Sequence, residues 1–297
     1  MVKSFTQPTT ASSATKDDKS CKHTVKIHGS TVNYWVFNPK AKKTIVMIHG
    51  FRGTHHGLLF VAKRLPNYRL IIPDLPGFGT STPLNKTHDL AGYCEFLGKF
   101  TSAVTDKPPA LLGHSFGTLV CAKYATDNPK SVDKLMLINP LSSSFQNSEN
   151  KFTANLTIFY YWLGKKLPAW LSRKLMANKI IIRVIGEVLA KTKDRNLRRV
   201  IHNQHFRHFS TYHNRHTLYE VFQASISHSI GDWARHLITP TLLLVGDKDD
   251  IAPLAWHAPV QRKIKNAKLV VINNVGHLIH YEAPEQAASA IDSFLRD

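Results

Sequence analysis

The stretch PPALLGHSFGTLV, residues 108–120, sets Ser115 between Gly113 and Gly117, directly after a short apolar run and directly before residues that can open a helix. A strand, a Gly-x-Ser-x-Gly turn and a helix in that order make a sharp bend. Side chains two residues to either side of the serine would collide with their neighbours, so glycine stands at both places. The bend lifts the Ser115 hydroxyl above the strand ends and places it at a helix N-terminus, where free N–H groups and the dipole favour developing negative charge. Serine is a poor nucleophile at neutral pH, so chemistry at this position needs a base and a carboxylate to orient that base.

Outward from the bend, short β-branched runs recur, each ending in Gly, Pro, Asp or His. Residues 24–37, TVKIHGSTVNYWVF, read as a hairpin turning at His28, Gly29 and Ser30. Further strands are expected at 44–48, 69–72, 110–112, 135–138, 241–245 and 268–272, nearly continuous in apolar side chains, as in strands covered on both faces. Between them, residues 55–65, 90–104, 116–128, 256–264 and 284–297 carry apolar side chains at helical spacing, with Pro284 suited to a first helical position. Strand and helix in alternation predict an α/β fold, a mostly parallel sheet flanked by helices. The alternation breaks between 141 and 235, where only helical patterns occur. Residues 1–22 are therefore expected to be a disordered polar tail, 23–140 and 236–297 the two parts of the α/β core, and 141–235 an inserted helical cap.

The base should be a histidine in a loop late in the chain. VVINNVGHLIHYEAPEQ, residues 270–286, supplies His277 just past a strand, with Gly276 allowing the chain to turn back over the sheet. His280 is the competitor, and the choice falls on His277 for its place at the strand end. For the acid, LLLVGDKDDIAP, residues 242–253, offers Asp247, Asp249 and Asp250. Asp247 sits close enough to the strand end to cap the turn and Asp250 can face solvent. Asp249 is preferred because it lies far enough beyond Gly246 for its carboxylate to curve toward the histidine.

The order Ser115, Asp249, His277, with IHGF at 48–51, PDLPGFGTS at 73–81, GHSFG at 113–117, GDKDDIAP at 246–253 and GHLIHYEAPE at 276–285, resembles the α/β-hydrolases of the capped esterase, lipase and C–C hydrolase type. The resemblance runs from about residue 23 to the C-terminus. It implies a catalytic triad of those three residues and an oxyanion hole formed by the backbone N–H groups of Phe51 and Phe116, donors that each lower such barriers by ~3 kcal/mol. It implies no cofactor and no metal. A serine at the nucleophile position argues against the branches of the family that use a carboxylate there. His49 is expected only to pack in its loop.

Within the expected cap, Tyr161, Trp162 and Trp170, with Phe159 and Tyr160, are candidates to line a hydrophobic acyl or aryl pocket, although each alone could simply pack the cap on the core. The expected function is a serine hydrolase acting on a carboxylic ester of a hydrophobic acyl or aryl substrate through an acyl-enzyme. The alternatives are a C–C bond hydrolase acting on a vinylogous diketone and a ligand-binding homologue without turnover.

Composition narrows the partners. The 297 residues carry a formal net charge of +19 and 43% hydrophobic side chains, a globular mixture with a strongly basic surface. The basic residues are spread along the chain without a nucleic-acid module, so a nucleic acid partner is not expected, whereas the concentrated block at 191–216 allows contact with an anionic membrane surface. Its histidines, His202, His205, His208, His213 and His216, lack Cys, Asp or Glu at zinc spacing. Three widely spaced cysteines and the lack of a secretion h-region suggest a cytoplasmic setting.

Overall fold

Successive side chains of a strand point to opposite faces, and in the central strands here both sets are apolar, which demands a cover on each side. A computed structural model, describing residues 3–5, 20–143 and 151–297, shows that sandwich. The strands are β1 (Lys3–Phe5), β2 (Cys21–Ile27), β3 (Ser30–Phe37), β4 (Thr44–Ile48), β5 (Arg69–Pro73), β6 (Ala110–His114), β7 (Leu135–Ile138), β8 (Thr241–Gly246) and β9 (Ala267–Ile272). In space they run β1-β9-β8-β7-β6-β4-β5-β3-β2, and β3 is antiparallel to both of its neighbours while the other pairs are parallel.

Val46, Ile48, Leu111, Leu137 and Val245 feed one face of the sheet, packed under α2 (Leu90–Val104) and α3 (Phe116–Asp127). Ile45, Met47, Leu112, Met136 and Leu244 feed the other, under α1 (His55–Ala62) and α11 (Pro284–Arg296). Pro284 stands at the start of α11, as its missing N–H allows. The β2–β3 hairpin turns where the sequence places it, on His28 (φ 47°) and Gly29 (φ 76°), the two positive φ values a two-residue hairpin needs.

Between β7 and β8 the chain is helical: α4 (Lys151–Lys166), α5 (Ala169–Met176), α6 (Lys179–Leu189), α7 (Arg195–His208) and α8 (Arg215–Ile226). Side-chain oxygens of Asn178, Asp194 and Asn214 accept from backbone N–H groups at the starts of α6, α7 and α8 and so set where each begins. The helices α9 (His257–Lys263) and α10 (Ile279–Glu282) complete the set. Residues 1–22, expected as a tail, contain β1, which pairs in parallel with β9 from Lys3 opposite Val270 to Phe5 opposite Ile272, and the first residues of β2. An edge strand offers unpaired backbone groups to any extended segment, a kind of docking that side-chain composition does not encode. Residues 6–19, and 144–150 within the expected cap, lie outside the described residues.

Strand order reverses around β4, whose neighbours are β5 and β6. Such a switch opens a crevice beyond the carboxyl ends of the strands. The bend after β6 lies there. Ser115 adopts φ 51° and ψ −119°, and its N–H donates to the Ile138 carbonyl at 3.1 Å. A Cβ on Gly113 would meet the Gly117 carbonyl oxygen at 2.4 Å, and one on Gly117 would meet the Ile48 carbonyl oxygen at 2.3 Å. Replacing Gly117 by alanine should therefore cost about 3 kcal/mol of stability, because backbone rather than a movable side chain blocks the new methyl. Urea denaturation of G117A checks this, and a midpoint equal to that of the parent contradicts it.

Candidate active site

Four loops at the carboxyl ends of strands converge on Ser115. His277, from the loop after β9, brings its Nε2 to 2.9 Å from the Ser115 Oγ, and its Nδ1 lies 2.8 Å from the Asp249 Oδ2 in the loop after β8. The same Oδ2 accepts from the Asn139 side-chain amide at 2.9 Å, and Oδ1 accepts the N–H groups of Ile251 and Ala252 at 2.9 and 3.0 Å. Burial alone would raise the Asp249 pKa. The charge and hydrogen bond of His277 and the two backbone donors outweigh it and hold the carboxyl at about 2. An ionised carboxylate only accepts, so the hydrogen-bond network assigns the His277 proton to Nδ1 and leaves Nε2 to accept from the serine hydroxyl.

The competing residues stand elsewhere. His280 is buried with its ring 4.0 Å from that of His114; Asp247 accepts the Val275 N–H at 3.2 Å and so holds the turn; Asp250 is exposed and pairs with Lys191. Phe116 opens α3, so its N–H belongs to the first turn, which has no intrahelical acceptor. Phe51 follows Gly50, where a Cβ would approach that of Ser115 to 3.1 Å, so this loop lies directly against the serine. His49 packs as expected: its Nε2 accepts the Leu75 N–H at 2.9 Å, which leaves Nδ1 to donate to the Gly50 carbonyl at 2.8 Å.

Ser115 and His277 border a cavity of about 230 Å³ lined by Phe51, Tyr161, Ile185, Leu189, Phe209 and Phe222 among others. Tyr161 stacks on Phe222 with ring centroids 4.1 Å apart. Trp162 and Trp170, expected beside it, do not line the cavity and stand 42% and 70% exposed. Trp162 is one residue, and so about 100°, around α4 from Tyr161, which turns it outward against Phe159.

Three residues that sequence reasoning passed over hold this arrangement. Asn139, in the left-handed region at φ 49°, donates to both Asp249 and the Gly276 carbonyl. His114 donates from Nε2 to the His277 carbonyl at 3.1 Å. Arg52, at φ 58° and 1% exposed, donates from Nε to the Phe209 carbonyl at 2.9 Å, from Nη2 to the Met176 carbonyl at 2.7 Å and from Nη1 to the Tyr161 hydroxyl at 3.4 Å. Met176 ends α5 and Phe209 caps α7, so one guanidinium ties two helix C-termini to the residue after Phe51. The available signal for Asn139 and Arg52 was positional: both are polar residues just beyond a strand of the predicted parallel sheet. Among the described residues, no group of three or more His, Cys, Asp and Glu side chains is arranged to hold a metal ion.

Residues 43–284 match the family profile of the α/β hydrolase fold. The chain belongs to that family. Among α/β hydrolases of similar sequence, monoacylglycerol lipase ABHD6 of Mus musculus is 25% identical over 269 residues, covering 86% of this chain and 76% of the relative. Lipase 1 of Psychrobacter immobilis is 24% identical over 295 residues, covering 94% and 85%. The esterase structure from Exiguobacterium antarcticum superposes with a TM-score of 0.73 at 17% identity, covering 91% of this chain and 97% of that one. Kinship with lipases, esterases and other hydrolases marks the chain as a hydrolase enzyme. No helix among the described residues is long and apolar enough to cross a membrane.

Lysine at position 52 keeps the charge but cannot reach three acceptors from one plane, so R52K should lower stability by about 2 kcal/mol; an unchanged urea midpoint contradicts the clamp. Burial, and next the neighbouring imidazole, push His114 down to about 3 and His205 to about 4, from the ordinary 6.5. Below pH 6.5 the unfolded chain binds these protons and the folded chain does not. Stability is therefore fully present above that pH and falls as pH drops, by about 1.4 kcal/mol per unit for each histidine, until the folded values are reached. Asp249 adds the same sign between roughly pH 4 and 2. The urea midpoint should accordingly fall between pH 7 and pH 5, and a flat profile contradicts burial of neutral imidazoles.

Proposed function

We propose that this α/β hydrolase is a serine esterase that cleaves a carboxylic ester of a lipophilic acyl substrate through an acyl-enzyme on Ser115. The observation that carries the proposal is the continuous path from the Ser115 hydroxyl through His277 to Asp249 at the wall of an apolar cavity. The imidazole Nε2 takes the serine proton as Oγ attacks the substrate carbonyl, and the resulting imidazolium lies beside the ionised Asp249. The N–H groups of Phe51 and Phe116 receive the oxyanion. The imidazolium then protonates the departing alcohol, and a water deprotonated by the same Nε2 releases the acid and returns the proton to Ser115. Asn139 acts through Asp249, whose second lone pair it occupies, and is a positioning residue.

Aliphatic and aromatic lining supports an acyl chain, and the names of the lipase relatives support the same class of substrate. The triad would equally serve hydrolysis of a C–C bond, but nothing in the lining favours a diketone over an ester. A site with nucleophile, base and acid all in contact supports turnover over mere ligand binding.

A fluorophosphonate probe should label the parent protein once, at Ser115, and should not label S115A; retention of label in that variant removes the assignment. H277A should lower kcat for a p-nitrophenyl ester by about 10⁴-fold or more with the fold intact. Along a series of p-nitrophenyl esters from acetate upward, each methylene buried in the cavity should raise kcat/KM by about fourfold, the equivalent of ~0.8 kcal/mol, until the cavity is filled. A flat series would place the acyl chain outside it.

A further inference from the structure

The outer side of the helical insertion is apolar where an ordinary surface helix is polar. Phe152, Leu156 and Phe159 form an exposed stripe on α4, and Ile180, Val184 and Val188, spaced four apart, form another on α6, with Ile180 75% exposed. Trp170 of α5 is 70% exposed as well. The large apolar side chains that stand exposed among the described residues all belong to the insertion, except Ile238. On α6 the inward positions are also apolar, Ile182 buried and Ile185 lining the cavity, so the helix has lipophilic side chains on both faces. Thr157 of α4 and Ile185 of α6 line the cavity, and each adjoins an exposed apolar neighbour, Leu156 and Val184. Each stripe therefore shares its helix with a residue of the cavity wall.

Charge accompanies them. Residues 151–216 carry fourteen Lys and Arg against two acidic residues, Glu187 and Asp194. Lys151, Lys174 and Lys179 are exposed on the helices that bear the apolar stripes, as is Arg183, which pairs with Glu187 at 2.8 Å. Apolar side chains with lysine and arginine on the same helices match the interface of an anionic bilayer, whose boundary with the acyl region accepts the first and whose headgroups attract the second. A second copy of the chain is the poorer occupant, since each copy would bring the same dense positive charge to the contact.

We propose that the outer face of α4, α5 and α6 docks on an anionic lipid surface, peripherally and without crossing it, and so sets the cavity walls against the lipid phase. Docking does not depend on the ester chemistry proposed above, and vesicle binding and turnover are measured separately.

The test is flotation of the full chain with vesicles of phosphatidylcholine, with and without about one third phosphatidylglycerol. The parent protein should float with the anionic vesicles, less so with phosphatidylcholine alone, and should be released by high salt. I180D/V184D should lose about tenfold or more of that binding, the apolar stripe having been charged. K174E/K179E should lose the preference for phosphatidylglycerol. Both should keep parental turnover of a short, water-soluble p-nitrophenyl ester, which shows that they are folded; I180S/V184S, milder in polarity, should bind to an intermediate extent. Failure of the parent to float overturns the proposal, as does flotation of I180D/V184D equal to the parent. A dimer in light scattering that I180D/V184D dissolves, with no flotation of the parent, assigns the face to a second copy instead and equally overturns it.

Discussion

The side chain of Asp249 is 1% exposed and its carboxylate receives four hydrogen bonds, from His277, from Asn139 and from two backbone N–H groups of its own loop. A buried charge is tolerated only when its lone pairs are taken up in this way. Satisfying them requires the end of β7 for Asn139, the turn after β8 for the carboxylate and the loop after β9 for the imidazole. Three separate segments of the chain are thus positioned by one ionised group. Asn139 donates again to the Gly276 carbonyl, and Glu282 accepts the N–H of Gly276 at 2.9 Å, so the loop bearing His277 is held from both sides.

Ser115 is placed by a different constraint, the closeness of β4, β6 and α3. Its backbone has a positive φ of 51°, a conformation costing of order 1–3 kcal/mol for a residue with a side chain, and the backbone packed against Gly113 and Gly117 on either side leaves no room for a Cβ at those positions. Arg52 extends the same rigidity into the helical insertion, since its guanidinium bridges the residue next to Phe51 and the ends of α5 and α7. Movement of those helices would pull on the loop that borders the serine. The cavity wall and the loop after β4 are in this sense one mechanical unit. Glu282 adds a second tie, accepting the N–H groups of Lys191 and Thr192 just past α6 at 2.7 and 2.5 Å.

Much of this was legible in the residues. The strands expected at 44–48 and 135–138 are β4 and β7, because in a sheet covered on both faces the apolar run itself marks the strand and a polar or glycine residue ends it. The preference for Asp249 over its two acidic neighbours rests on distance past the strand end, and it is the Asp249 Oδ2 that lies 2.8 Å from the His277 Nδ1. What the residues concealed has a common physical cause. Trp162 and Trp170 look like pocket aromatics by composition, but which face of a helix meets the core depends on packing that a pattern apolar on two faces does not disclose. The contacts of Arg52, two backbone carbonyls and the Tyr161 hydroxyl, lie 109 to 157 positions away in sequence, and beyond its place just past a strand no local signal announces them. β1 is likewise defined by the open edge of β9 and not by its own three residues.

Acylation of Ser115 would put an oxyanion at a definite place between the loop after β4 and the start of α3. A crystal structure of the protein after reaction with an alkyl phosphonate measures this, because the phosphonyl oxygen occupies the place of the oxygen of the tetrahedral intermediate. A covalent bond to the Ser115 Oγ is expected, with the phosphonyl oxygen about 2.7–3.1 Å from the backbone nitrogens of both Phe51 and Phe116 and the alkyl chain in the cavity that Tyr161 and Phe222 line. Phosphonylation of another residue, or an oxygen turned away from both N–H groups, would contradict it.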